Sequence, residues 1–164
     1  MDENVTIRPA AASDDDAIWA ILEPIFRAGE TYPIARDVTC GEALAYWRTA
    51  GHEVFVAEAK GRVLGSYYLR ANNRGGGAHV ANCGYAVAPD ASGRGVARAM
   101  CAHSLGQARE RGFTAMQFNF VVASNERAVR LWQACGFEIV GRLPGAFRHP
   151  RLGYVDALVM VRNL

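Results

Sequence analysis

The sequence predicts an α/β fold: a single mixed sheet with helices on both faces. Three observations carry that expectation. The chain has 164 residues, the size of one domain with one core, spanning 1–164. Strand-like and helix-like patterns follow each other in the order β-α-α-β-β-β-α-β-α-β-β, with neither a repeat nor a linker. A glycine turn, Ser92-Gly-Arg-Gly-Val-Ala97, stands between an apolar strand signal and a helix signal.

In chain order, Val5 to Pro9 reads as a short strand. Ser13 followed by Asp14, Asp15 and Asp16 reads as a helix cap with dipole-complementing acids, not as a metal site, since no further ligands accompany them. Ile18, Ile21, Leu22, Ile25 and Phe26 repeat with helical period, and Pro24 is expected to kink or end that helix. Gly29 to Pro33 is a break, and a second helix covers Gly41 to Thr49. Val54 to Ala59 and Val63 to Arg70 flank Lys60-Gly61-Arg62, a hairpin signal.

After the turn Asn72 to Gly77, a strand from Ala78 to Val87 delivers the chain to the glycine turn, and a helix runs from Gly95 to Arg111, stopped by Gly112. Met116 to Val122 is the next strand. Asn125 starts a helix whose Ala128, Leu131, Trp132 and Cys135 form one buried stripe. Phe137 to Leu143 and Val155 to Val161 are closing strands around a loop holding Pro144, His149, Pro150 and Gly153.

Composition narrows the function classes. Hydrophobic residues at 51% and charged residues at 21% are ordinary for a globular chain. A net charge of +2 without a basic block argues against a nucleic-acid surface. Arg94, Arg98, Arg109, Arg111, Arg127 and Arg130 concentrate in the middle of the chain, as bound phosphates or solvated helix faces both explain. The N-terminus carries Asp2 and Glu3 instead of a basic patch, and no run has signal or membrane-spanning character. Four cysteines without C-x-x-C spacing are expected to be reduced thiols. Together these point to a cytoplasmic protein without membrane contact.

Gly93 and Gly95 permit a tight turn with several N–H groups aimed one way, and the following helix adds free N–H groups and the positive end of its dipole. Such a cradle suits a pyrophosphate. A nucleotide-hydrolysing phosphate loop would need Lys-Ser/Thr after the last glycine, and a dinucleotide fingerprint a small residue where Arg98 stands.

The remaining reading fits better. Ser92 to Ala97 resembles the coenzyme A loop of the GCN5-related N-acetyltransferases, Gln/Arg-x-x-Gly-x-Gly/Ala, at every position but the first. Asn125-Glu-Arg-Ala128 followed by Leu131-Trp-Gln-Ala-Cys-Gly-Phe137 resembles that family's second signature, Asn-x-x-Ala-x-x-Leu-Tyr-x-x-x-Gly-Phe. The resemblance extends from about Val54 to Leu143. It implies a mostly antiparallel sheet of six to seven strands in which the strands Ala78 to Val87 and Met116 to Val122 splay apart around a pantetheine arm. It also implies acetyl-CoA as co-substrate, no metal, and a homodimer among the expected assemblies. The cofactor residues it implies are Val87, Ser92, Gly93, Arg94, Gly95, Val96, Ala97, Arg98, Asn125 and Trp132.

Direct acetyl transfer needs a neutral amine, a polarised carbonyl and a leaving thiolate. The family's general-acid tyrosine is replaced by Trp132, whose place on the apolar stripe fits packing; Tyr85 and Tyr154 remain candidate acids. A peptide-like α-amine, with a pKa near 7.8, is roughly a quarter neutral near pH 7.4, against about one part in a thousand for lysine. Asn82 and Asn119 fall within strands, where asparagine is disfavoured, and their amides can orient a carboxylate or a carbonyl.

Asn82-Cys-Gly-Tyr and Asn119-Phe-Val-Val-Ala-Ser-Asn125 are also similar to a fungal branch that acetylates proline analogues such as azetidine-2-carboxylate. In that branch the residues matching Asn82 and Asn119 bind the acceptor region. The expected acceptor is a small-molecule amine, an amino acid or a toxic analogue, with Asn82, Asn119, Glu30 and Tyr32 around it. The alternatives are a non-catalytic acetyl-CoA-binding module and a protein acetyltransferase acting on lysines or N-termini, to which Glu30 and Asp156 could contribute charge.

Overall fold

The computed structural model describes residues 4–164, so Asp2 and Glu3 lie outside the described residues. Its strands are β1 (Thr6–Pro9), β2 (Glu53–Ala59), β3 (Arg62–Ala71), β4 (Val80–Val87), β5 (Ala115–Val122), β6 (Glu138–His149) and β7 (Gly153–Asn163). They form a seven-stranded sheet in the order β1-β2-β3-β4-β5-β7-β6. Of its neighbouring pairs, β4 with β5 is parallel and the rest are antiparallel. The helices are α1 (Asp15–Ala28), α2 (Cys40–Trp47), α3 (Val96–Glu110) and α4 (Glu126–Ala134).

The alternation of β3 explains how both faces of the sheet become covered. Ser66 and Tyr68 meet α2, through a 2.9 Å bond from Trp47 Nε1 to Ser66 Oγ and a Trp47–Tyr68 ring contact of 5.0 Å. Tyr67, on the opposite face, meets His103 of α3 at 2.7 Å, and Gly65 lets Met100 approach so closely that an added Cβ would lie 2.9 Å from its methyl carbon. Period-2 alternation therefore assigns α2, with α1 packed beside it, to one face and α3 to the other, which meets the expectation of helices on both faces.

Two local expectations are corrected and a third, at Pro24, loses one of its two alternatives. Ser13 does not cap α1 but sits in a 3-10 turn, Ala12–Asp14. Asp14 holds the N-cap position of α1 without a side-chain cap bond; its carboxylate instead accepts the Ala11 N–H at 2.7 Å and two bonds from Arg8 at 2.8 and 3.0 Å, while Arg8 also reaches Glu58 at 3.0 Å. The Arg8 guanidinium holds the Asp14 carboxyl below its usual range.

Pro24 lies inside α1 without ending it. A proline costs about 3 kcal/mol in a helix interior, whereas burying Ile18, Ile21, Leu22 and Phe26 contributes roughly 1.5–3 kcal/mol each, so packing prevails. The helix ends at Gly29, where φ is +66°.

The loop expected after Leu143 is instead strand. Pro144 and Gly145 fall in an irregularity between the Leu143↔Ala157 and Phe147↔Val155 pairs, and Gly145 donates its N–H to Asp156 Oδ1 at 2.9 Å. A bulge absorbs residues that otherwise read as a turn. The reversal itself is 150–152, held by His149 Nδ1, which accepts the N–H groups of Arg151 and Leu152 at 3.1 and 3.2 Å.

Candidate functional site

β4 and β5 pair only at Val80↔Ala115 and Ala81↔Met116, next to where the two strands begin, and then diverge. The bonds Asn72 N–H to Val80 O and Ala88 N–H to Leu64 O, each 2.8 Å, set the phase of the β3–β4 ladder. By that phase the backbone groups of Cys83, Tyr85 and Val87 face away from β3, into the gap. A cavity of about 700 Å³ fills the divergence, within the range of small-molecule sites.

One end of the cavity is made by the glycine turn. Gly93 and Gly95 both have φ +81°, a conformation that excludes most side chains, and Gly95 leads directly into α3. The first-turn amides of Val96, Ala97 and Arg98 thus open onto the cleft, with no acidic residue in that turn. Asn125 caps α4 from the other side, its Oδ1 accepting the Ala128 N–H at 3.4 Å. Arg127 reaches over the turn: its Nη1 donates to Ser92 Oγ at 3.0 Å, and its Nη2 lies 2.8 Å from where a Cβ on Gly93 would be. Ser92, which departs from the family's Gln or Arg, is therefore accompanied by a guanidinium from α4.

The other end is walled by Tyr32, Tyr46 and Tyr68, with Arg70, Asn82 and Asn119 as its polar groups. A chain of amides crosses the gap. Arg70 Nε donates to Asn82 Oδ1 at 3.4 Å, and Asn82 Nδ2 to the Gln117 carbonyl at 2.8 Å. Gln117 Nε2 donates to Asn119 Oδ1 at 2.9 Å, and Asn119 Nδ2 to Asn72 Oδ1 at 2.6 Å. These bonds leave each of Asn82 and Asn119 one amide N–H. Tyr32 Oη donates to the Tyr85 carbonyl at 2.7 Å, and Tyr46 and Tyr68 join hydroxyls at 3.0 Å. Gly84 is required opposite Tyr68, whose ring carbon Cε1 lies 2.5 Å from where a Cβ would stand.

Several expected residues stand elsewhere. Glu30 does not line the cleft but pairs with Arg151 at 2.8 Å. Asp156 is taken by the Gly145 N–H and by Arg142, at 2.9 and 2.8 Å, which hold its carboxyl below the usual range. Tyr154 is 74% exposed on the outer hairpin, and Arg94 is not among the cleft-lining residues.

Tyr85 contributes backbone to the cleft, but its hydroxyl lies behind β4, 2.7 Å from Ser104 Oγ. Burial pushes its pKa well above the usual tyrosine value, so it is unsuited to act as the acid. Trp132 packs between Tyr85 and Phe118, with ring separations of 4.9 and 5.0 Å. Ala128, Leu131 and Cys135 are only half-buried, the first two because they front the cleft.

Arg70, Arg127, Tyr46 and Tyr68 belong to the cleft without having been legible as site residues. Arg70 reads as the end of a strand, and Arg127 as one more arginine in a mid-chain concentration. Among the described residues no Asp, Glu or His lines the cleft; its charged side chains are Arg70, Arg98 and Arg127. Cys83 does line it, but burial pushes its thiol up to about 12, which makes it a poor nucleophile.

Comparison with known proteins agrees with this architecture. A GCN5-related N-acetyltransferase from Kribbella flavida is 42% identical, with a TM-score of 0.94 over 99% of both chains. The N-acetyltransferase aca1 of Schizosaccharomyces pombe is 34% identical over 101 residues, a match spanning 61% of this chain and 48% of that protein, so the chain matches about half the length of this fungal relative. A phosphinothricin acetyltransferase from Sinorhizobium meliloti, in complex with acetyl-CoA, shares the fold at 22% identity and a TM-score of 0.85, covering 98% of this chain and 88% of that one. The profile of the acetyltransferase (GNAT) family matches residues 16–137, about three quarters of the sequence. The chain belongs to the acetyltransferase (GNAT) family.

Proposed function

We propose that residues 1–164 are one N-acetyltransferase domain that moves an acetyl group from acetyl-CoA directly to the amine of a small molecule bearing a carboxylate, an amino acid or an amino-acid analogue. The supporting observation is the charge of the cleft: three arginines and, among the described residues, no carboxylate. Polyamines, aminoglycosides and basic peptides are recognised by negative groups, and none is offered here.

At the glycine end, the amides from Gly93 to Arg98 and the Arg127 guanidinium would hold the pyrophosphate, and the outward-facing backbone of Val87 the pantetheine arm. Asn82 and Asn119 would orient the acceptor with their remaining N–H groups. The raised thiol of Cys83, the cysteine at the gap, supports direct transfer, since it offers no activated thiolate for an acyl-enzyme. With no carboxylate or imidazole in the cleft, the acceptor's proton leaves to water, and the coenzyme departs as a thiolate. The cysteines remain free thiols, in keeping with a cytoplasmic location.

The test is a screen of amines against acetyl-CoA, following release of the coenzyme A thiol. Neutral α-amino acids and cyclic imino acids are expected to be turned over at least tenfold faster, per unit concentration, than spermidine or a lysine-containing peptide. The reverse order would overturn the proposal.

A further inference from the structure

Arg70 is the charged group in the cleft that the cofactor does not account for. It lies directly opposite Asn82 in the β3–β4 register, on the face of β3 shared with Ser66 and Tyr68. Val87 at the glycine end is five residue steps along β4 from Asn82, a span of roughly 16 Å at 3.3 Å per step. A phosphate group in the glycine turn is beyond contact with Arg70, whereas Arg98 and Arg127 stand beside that turn.

Arg70 is half-buried and makes no ion pair among the described residues. Its one side-chain hydrogen bond among the described residues runs from Nε to Asn82 Oδ1 at 3.4 Å, which leaves both terminal nitrogens uncommitted. Its cleft neighbour Tyr68 supplies no anion, because burial and the Tyr46 hydroxyl beside it push its own hydroxyl far above the usual tyrosine range. A guanidinium in such surroundings has a fixed fork of donors and no acceptor to match it.

We infer that Arg70 is the counter-ion for the acceptor's carboxylate, gripping it with its terminal nitrogens while Asn82 holds the guanidinium in place. The inference rests on the proposed carboxylate-bearing acceptor and goes beyond it by assigning the charge recognition to β3. The in-strand asparagines are neutral and set orientation; discrimination between an acid and its uncharged ester then belongs to Arg70. The Arg70–Asn82 bond makes the pair a unit. Asn82 is tied in turn to the Gln117 carbonyl across the gap, so the carboxylate site and the splayed strands are held in one register.

The experiment compares a neutral α-amino acid with its methyl ester as acceptors for the wild-type enzyme, Arg70→Gln and Arg70→Lys. Thermal shift by acetyl-CoA serves as a check that each variant is folded and its glycine end intact. The wild type is expected to prefer the acid by at least tenfold in kcat/KM. Arg70→Gln should bring the acid-to-ester ratio to within about threefold of one, chiefly through KM, and Arg70→Lys should retain part of the preference because it keeps the charge and loses the fork. A wild type that discriminates alongside an Arg70→Gln variant that discriminates equally well would overturn the assignment of Arg70 and leave the proposed function standing. Equal turnover of acid and ester by the wild type, or turnover of neither, would remove the carboxylate reading and the Arg70 assignment together.

Discussion

The two ends of the cleft are built from different materials. The glycine end is mostly main chain: the turn at Gly93 and Gly95, the first-turn amides of α3 and the outward backbone of β4. The acceptor end is side chain, contributed by the segment after α1 (Tyr32), by α2 (Tyr46), by β3 (Tyr68, Arg70), by β4 (Asn82) and by β5 (Asn119). Backbone donors are the same in every sequence that can make the turn, so that end suits a cofactor common to a whole family. Side chains vary freely on a constant fold, so in the proposed function it is the other end that sets what is acetylated.

The largest expected effect falls on the backbone end. A Cβ on Gly95 meets nothing within 4 Å, so Gly95→Asp has room to fold, but it brings a strained φ and a like charge to the anion cradle. Acetyl-CoA affinity measured by calorimetry should fall at least hundredfold. An unchanged affinity would mean that the turn does not carry the pyrophosphate.

A smaller loss, roughly tenfold to hundredfold in kcat/KM for the acceptor, is expected from Asn82→Ala, the range for a hydrogen bond to a charged group. Acetyl-CoA affinity should stay within about threefold of wild type. If cofactor and acceptor constants fell together, the two ends would not be separable in the way their materials suggest.

Trp132→Phe separates packing from chemistry at the boundary between the ends. The side chain is 9% exposed and packed between two rings, so the loss should be about 1–2 kcal/mol of stability, or roughly 3–6 °C in Tm. Turnover should change by less than about threefold. A hundredfold fall in kcat at an unchanged Tm would make the indole part of the reaction.

The same contrast explains what was legible in the chain. Gly93, Gly95 and Asn125 act on neighbours within a few residues, through their own φ or a cap bond, so a short pattern reveals them. Asn82 and Asn119 were visible as residues out of place in strands. Glu30 reads as a site residue because nothing local to it reports that Arg151, far along the chain, claims its carboxylate. Tyr85 was correctly put on β4, but the alternation that sends its backbone into the gap sends its hydroxyl behind the strand to Ser104.

The order of elements, the glycine turn at 93–95 and the family were already written in the chain, because glycine φ, helix capping and apolar periodicity are short-range properties. Which charges share the cleft depends on packing between distant elements. The hairpin register sets Arg70 against Asn82, and the approach of α4 to the glycine turn sets Arg127 over Ser92. Both distances depend on how whole elements pack, and a guanidinium is visible in a sequence long before the space it faces is.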